Sequence, residues 1–150
     1  MTSMSASPAA RVVTFSRAQL RTAAVTVLRV GAGLLFVEHG LQKLFGLFGG
    51  FMGTPGATAP IASQMGLAGF LEFVGGTLLV LGFLTRPAAL VLLGEMLFAF
   101  FTVHAPQGGA PVQNGGELAL LYAVIFAFFA VNGAGTVSLD AAAARRAARD

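Results

Sequence analysis

The sequence contains no cysteine, which removes disulfides, thiolate metal sites and Cys-x-x-Cys redox exchange together. Charge is nearly as scarce. Only 10% of the 150 residues are Asp, Glu, Lys or Arg, against roughly 25% in a soluble domain. With 56% hydrophobic residues and a mean hydropathy of +0.82, too little polar surface is available to keep a globular fold in water. The length allows one domain, and the long apolar runs point to a polytopic membrane protein in contact with a lipid bilayer. Bases outnumber acids, nine to six, but most bases flank apolar segments, where membrane topology accounts for them, and no nucleic-acid partner is expected. Residues 1–22, "MTSMSASPAARVVTFSRAQLRT", have no apolar core followed by a small-residue cleavage site. They read as a mobile basic arm ending in a short surface helix rather than as a cleaved secretory signal.

Runs near the roughly 20 residues that cross a hydrocarbon core fall at about 23–48, 66–84, 87–103 and 117–133. Gly- and Pro-rich links separate them: "GGFMGTPGATAPIASQ", "TRP" and "HAPQGGAPVQNGG". Pro87 suits the first turn of the third helix, where its missing amide hydrogen has no intrahelical use. Arg11, Arg17 and Arg21 precede the first run, Arg86 lies in the short link, and Arg145, Arg146 and Arg149 follow the last. Keeping all three basic segments on the cytoplasmic side requires an even number of spans. The expectation is an all-α, four-helix membrane bundle with both termini inside, comprising the arm 1–22, a membrane domain 23–140 and a basic tail 141–150. Gly69, Gly75 and Gly76 lie close to Glu72 on the helical wheel and offer a face for close helix contact. No convincing internal repeat is present.

The four glutamates fall one per run, at Glu38, Glu72, Glu95 and Glu117, and no other acid precedes Asp140. A charge at mid-bilayer costs at least about 2.5 kcal/mol, so these carboxylates call for a compensating reason. The stretch "LLFVEHGLQKLFG" adds His39, Gln42 and Lys43 beside Glu38. On a wheel of about 100° per residue these polar groups occupy one half of the helix. From position along the spans, they gather with Glu72, His104 and Glu117 in the extracytoplasmic half, Glu95 lies near mid-membrane, and Arg29 snorkels from the inner face. Structural alternatives stand beside each functional one. His39 and Lys43 can simply neutralise Glu38 or Glu72; Glu117 can stabilise a helix start; His104 can be an interfacial residue. Glu95 has the weakest structural explanation. A di-iron reading fails because those bundles use Glu-x-x-His, whereas Glu38 and His39 are adjacent and point apart; no metal is expected. The Gly-rich "NGAGT" lacks the strand–turn–helix context of a phosphate loop, and no Ser-His-Asp spacing supports nucleophilic hydrolysis.

Four stretches, "LRVGAGLLFVEHGLQKLFG", "LEFVGGTLLVLGFLTRPAAL", "NGGELALLYAV" and "NGAGTVSLD", resemble in order and spacing the DoxX family of small bacterial membrane proteins. The resemblance covers about residues 22–140. It carries over to His39, Gly40, Lys43, Glu72, Gly75, Gly76, Thr85, Arg86, Asn114, Glu117 and Asp140. It implies a multi-pass protein of the bacterial cytoplasmic membrane, in a family associated with quinone-linked oxidase complexes. Nothing in the sequence resembles a flavin, haem or iron–sulfur site, so a redox role would draw its electrons from a partner protein. Under that reading Glu38, His39, Gln42, Lys43, His104 and Glu117 bind the ligand, with His39 and Lys43 on a quinone or quinol headgroup, and Glu72 and Glu95 transfer protons. The rival from another class is a non-enzymatic transporter, binding or assembly subunit using the same groups. Four helices are few for alternating access, which would favour a homo-oligomer. A third reading gives the cluster to fold stability alone.

Overall fold

The computed structural model describes residues 14–150, which form six α-helices and no strand; Arg11 and most of the expected arm lie outside them. Helix α1 (Arg17–Phe45) starts earlier than the apolar run because Ser16 and Gln19 form a reciprocal cap, Ser16 Oγ accepting the Gln19 N–H at 3.2 Å and Gln19 Oε1 accepting the Ser16 N–H at 2.8 Å. At about 1.5 Å per residue α1 is about 43 Å long, well over a hydrocarbon core of about 30 Å. Helix α2 (Gln64–Leu81) is opened by Ser63 and closed by Gly82 at φ 64°. Helix α3 (Thr85–Ala99) runs on through a π-turn at Phe100–His104 and a 3-10 turn at Ala105–Gln107. A single turn, α4 (Pro111–Asn114), precedes α5 (Glu117–Asn132), and α6 (Leu139–Ala147) follows.

Three of these segments are long and apolar enough to cross a membrane: α1, α2, and α3 with its continuation to Gln107. The fourth expected span differs. Helix α5 is as apolar but has only 16 residues, because Gly115 and Gly116 separate it from α4 and Gly133 ends it.

Helix α1 packs on α2, and α3 on α5. The first contact is backbone against backbone. A Cβ on Gly33 would sit 2.8 Å from the Gly76 carbonyl oxygen, and one on Gly76 would sit 2.7 Å from that of Gly33. The buried centre joins Phe36, Leu79, Leu92, Phe126 and Phe129, with the Phe36 ring edge-on to Tyr122 and Phe126 at 4.7 and 4.6 Å. Many large apolar side chains, Leu34, Leu67, Leu90, Leu121 and Val124 among them, instead point outward. Small residues at helix contacts and large apolar ones on the outside are the pattern of a membrane protein.

Arg29 corrects one expectation. It does not snorkel to headgroups but is 2% exposed. Its guanidinium donates to the carbonyls of Leu79, of Val80 at 2.8 Å, of Ala134 at 3.1 Å and of Val137 at 2.7 Å. The freed carbonyls at the end of α2 and the loop after α5 are thereby satisfied by one side chain, and the charge never reaches solvent. At the same end the Asp140 carboxylate accepts the N–H groups of Leu84 (2.8 Å) and Thr85 (3.0 Å), capping α3 from the start of α6. These two residues tie four helices together and set the register in which their opposite ends meet.

Candidate functional site

At the other end of the bundle Lys43, in the last turn of α1, reaches α2. Its ammonium pairs with both carboxylate oxygens of Glu72, the contact to Oε2 measuring 2.6 Å. Glu72 is 5% exposed. The lysine stem can lie this close because residue 69, one turn before Glu72, is glycine: a Cβ there would come within 2.8 Å of Lys43 Cβ. A buried carboxylate facing a lysine is an ion pair made in low dielectric, where one partner without the other is costly.

The pair stands between two cavities. The larger, about 540 Å³, lies between α2 and α3 and is lined by Leu71, Glu95, Met96 and Phe98 together with the pair and His104. The smaller, about 220 Å³, is lined by Phe36, His39 and Tyr122, again with Lys43, Glu72 and His104. The larger cleft has the size of a small-molecule site and walls that are almost wholly apolar. Exposed Leu67 and Phe98 flank it, so it opens on the side of the helices that carries lipid-facing residues.

Glu95 is the group in the cleft without a satisfied role: both of its carboxylate oxygens are buried and have no hydrogen-bond partner among the described residues. Buried polar groups are nearly always paired, and an orphan marks a functional candidate. His104 is held differently. Its Nδ1 lies 3.0 Å from the Asn114 carbonyl, which can only accept, so Nδ1 carries a proton and Nε2 is the ring nitrogen left for a ligand. Asn114 is itself fixed, its amide donating to the Gly108 carbonyl and accepting the Gly116 N–H, both at 2.8 Å. The π-turn at Phe100–His104 gives His104 its position, in keeping with such turns at functional sites.

The structure thus brings together Lys43, Glu72, Glu95 and His104 around the larger cleft, with His39 on the smaller one. Three expected residues do not join them. Glu38 is exposed, because it lies about 180° around α1 from Arg29, which begins the buried stripe Arg29–Gly33–Phe36–Gly40. Gln42 points its amide at the Phe48 carbonyl, 3.3 Å away, and steadies the loop after α1. Glu117 is exposed as the first residue of α5, where a carboxylate complements the helix dipole. Tyr122 was not singled out by the sequence pattern, although its status as the chain's one tyrosine inside an apolar run was the available signal. Among the described residues no three His, Cys, Asp or Glu side chains gather as a metal site.

The family model described as DoxX matches residues 24–105. A protein of Haemophilus influenzae (strain ATCC 51907 / DSM 11121 / KW20 / Rd), described as uncharacterized, is 40% identical over 116 residues, covering 75% of this chain and 85% of that relative. Inner membrane protein YqjF of Escherichia coli (strain K12) is 30% identical over 129 residues, covering 81% and 93%. No solved structure is significantly similar.

Proposed function

This chain belongs to the DoxX family, and from that premise we propose that it is a subunit of a quinone-linked oxidoreductase of the bacterial inner membrane. In this reading α5 is the fourth span, both termini are cytoplasmic, and the cleft between α2 and α3 takes the headgroup of a quinone or quinol in the outer half of the bundle. The observation that carries it is the unsatisfied Glu95 carboxylate in an apolar cleft open between two helices. A lipid-soluble ligand can enter there sideways, its tail against Leu67 and Phe98, without crossing water. That entry route favours a lipophilic carrier over the water-soluble solute that a transporter would move. The relative named as an inner membrane protein supports the location, and the arginines at the α1, α3 and α6 starts and ends support the orientation.

The residues present fit such a headgroup. A quinone supplies two-electron, two-proton chemistry, with electrons delivered by a partner protein. Glu95 would hold or accept a proton at a headgroup oxygen, His104 Nε2 would accept a second hydrogen bond, and the Lys43–Glu72 pair would fix the polar floor of the cleft. The small cavity behind that pair, with His39 and Tyr122, offers a proton route away from the cleft.

The test is a thermal-stability titration of the full chain in mild detergent with a short-chain quinone analogue. Wild type is expected to gain stability as the analogue saturates it, and Glu95→Gln to need about tenfold more analogue, roughly 1.4 kcal/mol and near the upper end for one hydrogen bond. No shift in wild type, with no quinone retained on purification, would sink the reading. Quinone-independent solute flux in proteoliposomes that vanishes in Glu72→Gln would assign the cleft to transport instead.

A further inference from the structure

The opposite end of the bundle carries a second site. A cavity of about 350 Å³ lies between the early turns of α1 and the segment that follows α5, lined by Arg21, Thr22, Val25, Phe128, Asn132 and Thr136. Its wall is divided. Val25 and Phe128 are apolar, whereas the hydroxyls of Thr22 and Thr136 lie 3.4 Å apart beside Arg21. Gly133 and Gly135, both on the cavity wall, have φ of 75° and 79°.

Two more arginines reach the same loop from other helices. Arg145 of α6 donates to the Thr136 carbonyl at 3.4 Å. Arg86, at the start of α3, brings its Nε to 3.3 Å from where a Gly133 Cβ would stand. Among the described residues none of the three makes an ion pair. Asp140, the acid that opens α6 beside this loop, is already engaged with the Leu84 and Thr85 N–H groups. Arg21, Arg86 and Arg145, exposed and on separate elements, thus approach one loop and form a basic patch that attracts an anion.

We propose that this cavity binds the phosphate headgroup of an anionic phospholipid, with Arg21 and the threonine hydroxyls on the phosphate, Arg145 and Arg86 flanking it, and Val25 and Phe128 against the start of an acyl chain. The site lies where helices α2 and α5 end, the level at which headgroups meet a spanning bundle, and basic pockets between spanning helices suit such lipids. A free phosphate could satisfy the charge but not the apolar wall. The assignment is independent of what occupies the Glu95 cleft.

The experiment titrates the full chain, in neutral detergent at fixed ionic strength, with phosphatidylglycerol, with phosphatidylcholine of the same chains, and with inorganic phosphate, reading thermal midpoint and the lipid retained in native mass spectra. Phosphatidylglycerol is expected to raise the midpoint and remain bound one per chain, and the other two to do neither. Arg21→Gln and Arg145→Gln should each weaken the apparent affinity for phosphatidylglycerol about fivefold, matching about 1 kcal/mol per basic side chain near an anionic headgroup. The lipid-free midpoint of Arg21→Gln should match wild type, since Arg21 is exposed and forms no ion pair among the described residues. Arg149→Gln, beyond the end of α6, should leave the affinity unchanged. Equal shifts with phosphatidylcholine, a full shift with inorganic phosphate alone, or an equal loss in Arg149→Gln would each overturn the proposal.

Discussion

Lys43 is the chain's one lysine, and its ammonium is committed to Glu72 across the α1–α2 contact. Removing one partner of such a pair leaves the other buried and uncompensated, whereas replacing both by apolar groups of similar volume is often harmless. Lys43→Met should therefore cost about 3 kcal/mol, the low end for buried pairs because the lysine side chain retains 18% exposure. Lys43→Met combined with Glu72→Leu should recover most of that loss, as read from denaturation midpoints in detergent. The double variant also separates roles. Restored stability with quinone-analogue binding equal to wild type would make the pair purely structural, while restored stability with weakened binding supports its place on the floor of the cleft. Single residues were unevenly legible in the sequence. A lysine and a glutamate in separate apolar runs already demand partners, and these found each other. Glu38 misled because a wheel drawn from polarity centres on the charges, and Arg29 because nearness to the inner face does not say which way its side chain turns. The true buried stripe of α1 is centred on Gly33, Phe36 and Gly40, which polarity alone does not mark.

The contact between α1 and α2 depends on which glycines face it. Gly31 has nothing within 4 Å of a Cβ position, whereas a Cβ on Gly40 would lie 2.5 Å from the Phe73 nitrogen and 2.8 Å from the Gly69 oxygen. Neither backbone atom can yield without moving a helix. Gly31→Ala should be neutral or stabilising by up to about 1 kcal/mol through helix propensity, while Gly40→Ala should destabilise by about 2 kcal/mol or more through overpacking. Matched midpoints for the two variants would mean that the helices do not approach as described. The helices themselves were largely visible in the sequence, since apolar runs bounded by Gly and Pro fix where lipid-crossing segments lie. Their ends were less so. Helix α1 begins at a Ser16–Gln19 cap inside what reads as a polar arm, whereas α5 (Glu117–Asn132) matches its expected run 117–133 to within one residue. The π-turn that delivers His104 lies at the end of the third apolar run, where no residue of "FFTVH" marks it in the sequence.

The molecule is polarised along the bundle axis. One end is tied by Arg29 and Asp140 and ringed by arginines; the other gathers Lys43, Glu72, Glu95 and His104 at a cleft between α2 and α3. If the arginine-rich end faces the cytoplasm, a reporter fused after Asp150 that works only in the cytoplasm should be active and one that works only outside should be silent; the reverse result would place the cleft in the inner half of the membrane. The central claim is that a lipophilic redox carrier docks its headgroup in that cleft. Photolabelling of the full chain in membranes with an azido-quinone, followed by peptide mapping, tests it most directly. Labels should concentrate on α2 and α3 around Leu67, Leu71, Met96 and Phe98 and be competed away by excess unlabelled quinone. Labels spread evenly over lipid-facing residues such as Leu34, Leu121 and Val124, without competition, would contradict the account.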